Sequence, residues 1–160
     1  MYGMQGMTSA MPDFRQVLAG LAMQIQNSTV SLDAQCIGNS LYGMQLMTCD
    51  NEETRAVLRH MAVKIRGCTE MLKAQEVDNA LYGMQNMDSK DPDVREVLKA
   101  LTVKIQDSSD DMDGQSFGNC FYSLKNMSPM DTSLNHLLVV LTEKLANSKK
   151  QMNVHCRGRH

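Results

Sequence analysis

Three residue types that make good binding contacts, namely tyrosine, glutamine and asparagine, recur at a fixed spacing in this chain of 160 residues. The motif Tyr-Gly-Met-Gln, or its variant Tyr-Ser-Leu-Lys, begins at four positions that lie 40 residues apart: Tyr2, Tyr42, Tyr82 and Tyr122. Amide side chains precede three of these motifs at matching positions: Gln35, Gln75 and Gln115, and Asn39, Asn79 and Asn119. Tyrosine supplies rigid contact area, and side-chain amides supply adaptable hydrogen bonds. The pattern therefore favours recognition of a partner over catalysis.

No motif typical of catalysis or of a cofactor site accompanies these residues. The sequence has no glycine-rich phosphate loop, no zinc-ligand pairs at the usual spacing and no nucleophile elbow. The nearest approach to a metal site is His155, Cys156 and His160, which lack a fourth ligand and a rigid scaffold. We therefore predict that the protein is not an enzyme and that it uses no metal or other cofactor.

The 40-residue period extends over nearly the whole chain and predicts four structural units: 1–40, 41–80, 81–120 and 121–152. One position is leucine in all four units, as Leu18, Leu58, Leu98 and Leu138. Two other positions are basic in three units each: Arg15, Arg55 and Arg95, and Lys64, Lys104 and Lys144. Residues 153–160 leave the pattern, and we expect them to form a degenerate, disordered tail.

Each complete unit contains the signals of two helices, which we call A and B. Helix B carries a helical stripe of apolar residues, for example from Val94 to Ile105. Its N-cap is predicted at Asn51, Asp91 and Asp131. Four residues that tolerate a left-handed C-cap stand at its far end: Asn27, Gly67, Asp107 and Asn147. Helix A is predicted from about Ala34 to Met47, with Asp33 as its cap.

Two helices joined by short linkers pack antiparallel, and stacked units of this length form an α-solenoid. Low contents of aromatic and β-branched residues argue against an all-β fold. The predicted fold class is all-α: an α-solenoid of four two-helix repeats with a right-handed superhelix, in a single domain over residues 1–152. Because the first unit lacks a polar outer face, further repeats of a longer array are among the expected partners.

One side of helix A is free of core residues when the helix is drawn at 100° per residue. Ile37, Leu41 and Met44 face helix B, and the flanking Gly38 and Gly43 permit close approach of neighbouring repeats. The opposite side is the A-helix face, our candidate binding surface. It consists of Tyr2, Gln35, Asn39, Tyr42, Leu46, Gln75, Asn79, Tyr82, Asn86, Gln115, Asn119, Tyr122 and Asn126. The alternative is structural, with amides that cross-link helices and tyrosines that bridge repeats.

Composition limits the compartment and the class of partner. Five cysteines without framework spacing indicate a reducing, intracellular compartment, and no apolar run is long enough for a membrane helix. The formal net charge is −2, and the four 40-residue units carry −1, −1, −4 and +4. We interpret the arginine and lysine positions as structural, with buried stems and acidic neighbours as their partners. The sequence contains no continuous basic stripe of the kind that tracks a nucleic acid backbone.

The stretch from Gln75 to Met87 reads Gln-Glu-Val-Asp-Asn-Ala-Leu-Tyr-Gly-Met-Gln-Asn-Met. It resembles the pattern Gln-x-apolar-x-Asn-(Ala/Thr)-Leu-aromatic-Ala-apolar of octotricopeptide repeats and of the repeats that accompany RAP domains. The resemblance implies a helical-repeat fold and RNA binding in an organelle. A similar Asn-Ala-Leu core occurs in the long helical repeats of some bacterial type III effectors.

Two functions follow as expectations. The first is a scaffold for protein–protein interaction that uses the A-helix face, which suits the mildly acidic charge. The alternative is single-stranded RNA binding, in which the tyrosines stack on bases and the amides contact base edges.

Overall fold

The computed structural model describes residues 1–149, which form seven α-helices and one short 3-10 helix, Tyr2–Met4. The α-helices are α1 Pro12–Asn27, α2 Ala34–Tyr42, α3 Glu52–Gly67, α4 Ala74–Gly83, α5 Pro92–Asp107, α6 Gly114–Ser123 and α7 Thr132–Asn147. No strand occurs in this part of the chain, so the predicted all-helical class is confirmed. The predicted tail, 153–160, lies outside the described residues.

The helices form two layers around one hydrophobic core. The B helices α1, α3, α5 and α7 pack side by side in chain order, and the A helices α2, α4 and α6 do the same. Residues of both layers, such as Leu41 and Leu58, are fully buried in a single apolar cluster. None of the helices within residues 1–149 is long and apolar enough to cross a membrane.

The predicted helix starts are confirmed by their hydrogen bonds. The side chain of Asn51 accepts from the backbone N–H of Thr54, and Asp91 and Asp131 cap α5 and α7 in the same way. The Asp33 carboxylate accepts from Cys36 N at 2.6 Å. This hydrogen bond holds the pKa of Asp33 below its usual value. At these four helix starts, the cap side chain therefore satisfies a backbone donor that would otherwise lack a partner.

The predicted left-handed C-caps are wrong. No residue within 1–149 has a positive φ, and each B helix instead ends in an extended residue, for example Ser108 after α5. At the ends of α1, α3 and α5, the lysine of the following B helix donates to the carbonyl group of the residue that follows the helix: Ser28, Cys68 and Ser108. A cation at the negative end of a helix dipole is also favourable.

Helix A is shorter than predicted, because α2 ends at Tyr42 and not near Met47. The chain continues in tight turns, in which Met44 N–H bonds to Leu41 C=O and Met47 N–H bonds to Met44 C=O. These bonds span three residues, as in a 3-10 helix, and Gly43 favours the change because glycine is a poor helix former. The tyrosine motif therefore lies at the end of the A helix.

The first unit exposes side chains that later units bury. Val17 on α1 is 50% exposed, whereas Val57, Val97 and Leu137 occupy the same position and are fully buried. Met7 is also exposed, whereas Met47 at the equivalent position is buried. The outer side of α1 therefore presents an apolar surface like the one that each later B helix packs against its predecessor.

Candidate binding site

The tyrosines of the first three units form a stack across the A helices. The ring centroids of Tyr2 and Tyr42 lie 5.6 Å apart with an interplanar angle of 21°. Those of Tyr42 and Tyr82 lie 5.5 Å apart with an angle of 22°. Offset stacks of this kind are favourable for aromatic rings. Tyr42 therefore has a ring neighbour on each side, and these three rings connect adjacent units.

Tyr122 in the fourth unit is arranged differently. Among the described residues, no ring contact joins it to Tyr82, and the residue is 58% exposed. The ammonium group of Lys125 lies 3.8 Å from the centroid of its ring. Such a contact is a cation–π interaction. The stack of rings therefore ends at Tyr82, and Tyr122 attracts a cation.

Glycines set the distance between the A helices. A Cβ atom added to Gly83 on α4 would lie 1.9 Å from the Leu41 carbonyl oxygen, and one added to Gly43 would lie 2.1 Å from the Met1 carbonyl oxygen. Only glycine allows backbones to approach this closely, which confirms the role expected for Gly43. The α4–α6 pair cannot approach in the same way, because Ser123 on α6 takes the place of Gly83 and its Cβ atom needs the space that the glycine leaves.

A cavity of about 320 Å³ lies between α4 and α6. It is lined by Tyr42, Gln75, Asp78, Asn79, Tyr82, Asn119 and Tyr122. Six of these seven residues belong to the predicted A-helix face. The structure therefore brings together part of the predicted surface from three successive units.

Asp78 is the residue of this cavity that the sequence reasoning missed. Its Oδ1 accepts from the Cys120 thiol at 3.3 Å, and it also bonds to the Ser116 side chain. Burial raises the pKa of the Asp78 carboxyl, and no ion pair within residues 1–149 involves it. Burial and the neighbouring carboxylate raise the pKa of the Cys120 thiol, so the thiol remains protonated. The sequence contains one signal for Asp78, which is its departure from the repeat. Glycine occupies the equivalent position in the neighbouring units, as Gly38 and Gly118.

The amides of the A-helix face fall into two groups. Asn86 and Asn126 donate to the backbone carbonyl groups of Gln45 and Gln85 in the preceding unit, each at 2.7 Å, and Leu46 beside them is exposed. The other group forms no side-chain hydrogen bond within residues 1–149: Gln35, Asn39, Gln75, Asn79, Gln115 and Asn119. The turn amides therefore link units, and the helix amides are left open.

Five of the six basic residues at the two repeated positions donate to backbone carbonyl groups of the fold. Lys144 Nζ donates to Ser108 O at 2.6 Å, and Lys104 makes the equivalent bond to Cys68 O. Arg55 donates to Cys49 O at 2.9 Å and also pairs with Glu52. The predicted structural role is thus seen, although a carbonyl oxygen replaces the expected acidic partner of the lysines.

No group of three or more potential metal ligands occurs within residues 1–149. The candidate ligands His155, Cys156 and His160 lie outside the described residues. The four described cysteines are free: Cys36, Cys49, Cys68 and Cys120. No protein-family model matches the chain, and no curated protein or solved structure is significantly similar to it. The resemblance to octotricopeptide and RAP-associated repeats therefore rests on the sequence pattern alone.

Proposed function

We propose that the protein is a non-enzymatic helical-repeat scaffold that binds an extended polypeptide segment along the A-helix face. In this proposal the helices form a right-handed α-solenoid of four two-helix repeats. The observation that carries the proposal is the division of the amides. The fold uses those on the turns, whereas the six on the helices have no hydrogen-bond partner in the described chain.

A polypeptide main chain is a good chemical match for these open amides. Each side-chain amide both donates and accepts hydrogen bonds, and so does each peptide group of an extended segment. Packed helices lie about 8–10 Å apart, and three extended residues span about 10 Å. Successive A helices would therefore contact roughly every third residue of the bound segment.

The single-stranded RNA alternative gains less support from the geometry. Bases bind such proteins by stacking on aromatic faces, but Tyr42 has another ring on each side. Lys64, Lys104 and Lys144 donate to backbone carbonyl groups of the B layer. Asp78 places a carboxylate in the cavity, where it would repel phosphate groups. These features favour a polypeptide partner.

The proposal is tested by selecting binders from a displayed library of random twelve-residue peptides and measuring their affinities by titration calorimetry. The triple variant Asn39→Ala, Asn79→Ala, Asn119→Ala should bind the selected peptides at least about tenfold more weakly, which is a loss of about 1.4 kcal/mol. Its melting temperature should stay close to that of the unmodified protein, because these amides make no hydrogen bonds inside the described chain.

A matched control places the same kind of change on the B helices, as Gln16→Ala, Gln106→Ala, Asn135→Ala. All three residues are exposed, and this variant should keep full affinity. Equal loss in both variants would refute the A-helix face as the binding surface. A randomised single-stranded RNA pool is tested in parallel by fluorescence anisotropy. RNA binding that depends on the asparagine row, without peptide binding, would replace the proposal with the RNA alternative.

A further inference from the structure

The cavity between α4 and α6 contains a carboxylate without a cationic partner. Asp78 is half-buried, and its hydrogen-bond partners, Cys120 and Ser116, are uncharged. The charged group that affects its pKa within the described residues is Asp113, a carboxylate of the same sign. A negative charge in such surroundings is stabilised by a ligand that brings a positive charge.

Two aromatic rings border the same cavity and offer surfaces for a flat cation. One side of the Tyr82 ring is covered by Tyr42 on the α2 side, so its other side is directed toward α6. The Tyr122 ring already attracts the Lys125 ammonium group at 3.8 Å. The electron-rich faces of tyrosine rings favour guanidinium groups in particular, because these can also stack on the ring.

Three side-chain amides without hydrogen-bond partners in the described chain complete the lining of the cavity. The side chains of Asn79, Gln75 and Asn119 reach the cavity and form no hydrogen bonds within the described chain. Their oxygen atoms are acceptors for N–H groups that do not reach Asp78. At about 30 Å³ for each water molecule in the liquid, the volume of about 320 Å³ corresponds to roughly ten waters. The cavity is therefore large enough for a planar side-chain head group.

We infer that this cavity binds the guanidinium group of an arginine in the polypeptide segment, with Asp78 as its carboxylate partner and Tyr82 and Tyr122 as its aromatic walls. The inference rests on the proposed function, and it adds the chemistry of one side chain in the partner. An arginine offers paired N–H donors to one carboxylate and a flat face to the rings. Lysine supplies only a compact charge, so it would use the rings less well.

A metal ion is a poorer match for the same cavity. No set of three or more potential ligands is present within residues 1–149, and Cys120 carries a protonated thiol that donates to Asp78. Metal ions bind the thiolate form of cysteine. The chemistry of the lining therefore favours an organic cation.

The test is a titration of the full chain with N-acetyl-arginine methylamide, followed by two-dimensional ¹H–¹⁵N NMR. Saturable shifts are expected at the backbone amides of Asp78, Asn79, Tyr82, Asn119 and Tyr122. N-acetyl-citrulline methylamide has almost the same shape without the charge, and it should bind about tenfold more weakly or not at all.

Two variants locate the effect. Asp78→Asn should weaken binding of the arginine amide about tenfold, because it removes the charge and keeps an acceptor for Cys120. Glu53→Gln makes the same change of charge on α3, away from the cavity lining, and should leave binding unchanged. If Asp78→Asn fails to fold, Tyr122→Leu serves instead, since this side chain is exposed and its ring forms one wall of the cavity.

Each outcome separates the arginine site from the proposed function. Equal binding of arginine and citrulline amides, or full binding by Asp78→Asn, would overturn the arginine site. If selected peptides still depend on the asparagine row in that case, the proposed function stands. If the arginine amide binds through Asp78 but no peptide depends on that row, the arginine site stands and the proposed function fails.

Discussion

The α2–α4 and α4–α6 interfaces connect equivalent helices, yet they differ in spacing and in chemistry. At the first interface, Gly83 lies so close to the Leu41 carbonyl group that no Cβ atom fits, and the tyrosine rings stack. At the second interface, Ser123 replaces this glycine, and a cavity lies between the helices. One close interface is thus followed by one that leaves room for a ligand.

The lysine contacts between successive B helices, in contrast, are the same at both unit boundaries. Lys104 donates to the end of α3 and Lys144 donates to the end of α5 in the same way, so both unit boundaries keep the same link. Asn86 and Asn126 likewise make equivalent bonds of 2.7 Å across the two boundaries. The repeat can therefore open its A layer locally while its B layer and its turns hold the units together.

The largest expected effect comes from adding one methyl group to the close interface. Gly83→Ala would place a Cβ about 2 Å from the Leu41 carbonyl oxygen, so the two helices must move apart. Overpacking of this kind should cost about 2–3 kcal/mol in the free energy of unfolding, measured by urea denaturation. The ring stack of Tyr42 and Tyr82 should be disturbed in the same variant.

The same substitution on the exposed side of α6 is the control. Gly118→Ala meets no atom within 4 Å and lies inside α6. Because alanine is the better helix former, this variant should gain about 0.5–1 kcal/mol. Similar unfolding free energies for Gly83→Ala and Gly118→Ala would mean that the backbones do not approach closely at Gly83.

The sequence alone predicts much of the difference between the two interfaces, but it does not predict the cavity that results. The 40-residue period and the caps at Asn51, Asp91 and Asp131 predict the helices, because both signals act locally. The change from Gly83 to Ser123 is also visible in the sequence. The cavity is not, because its size depends on how far two helices separate once packed. A role for Asp78 follows only from the structure, in which Cys120 and Ser116 of α6 form hydrogen bonds with it.

The next effect in size concerns the link that both boundaries share. Lys104→Met and Lys144→Met each remove a cation from the end of the preceding B helix while keeping most of the side-chain stem. Each should cost about 0.5–1 kcal/mol in urea denaturation, and the two costs should be similar. A clearly smaller cost for Lys144→Met would show that the B layer opens together with the A layer.

A smaller effect is expected from the amides on the turns. Asn86→Ala and Asn126→Ala each remove one exposed hydrogen bond of 2.7 Å to the preceding unit. Each variant should lose about 0.5 kcal/mol, near the lower limit for such a bond, because water replaces the lost partner. Thermal denaturation followed by circular dichroism gives the comparison, and a loss at one boundary alone would contradict equivalent links.

The smallest expected effect is a pH dependence that only the open interface shows. Burial raises the pKa of Asp78 above its usual value of 3.8, with Cys120 and Asp113 as the titratable groups that face it. Between the unfolded and the folded pKa, the folded protein binds more protons, so this residue makes stability fall as the pH rises. Asp78→Asn should therefore raise the melting temperature at pH 7 and leave it unchanged at pH 3.

Asp33, at the start of α2, gives a pH dependence of stability with the opposite sign. Its hydrogen bond with Cys36 lowers its pKa, so its contribution is present at neutral pH and is lost as the pH falls. Asp33→Ala should thus lower the melting temperature at pH 7 and have a smaller effect at pH 3. A carboxylate that caps a helix stabilises the fold, whereas Asp78 destabilises it at neutral pH. If Asp78→Asn also lowered the melting temperature at pH 7, Asp78 would be a structural acid, and the cavity would not need a cation.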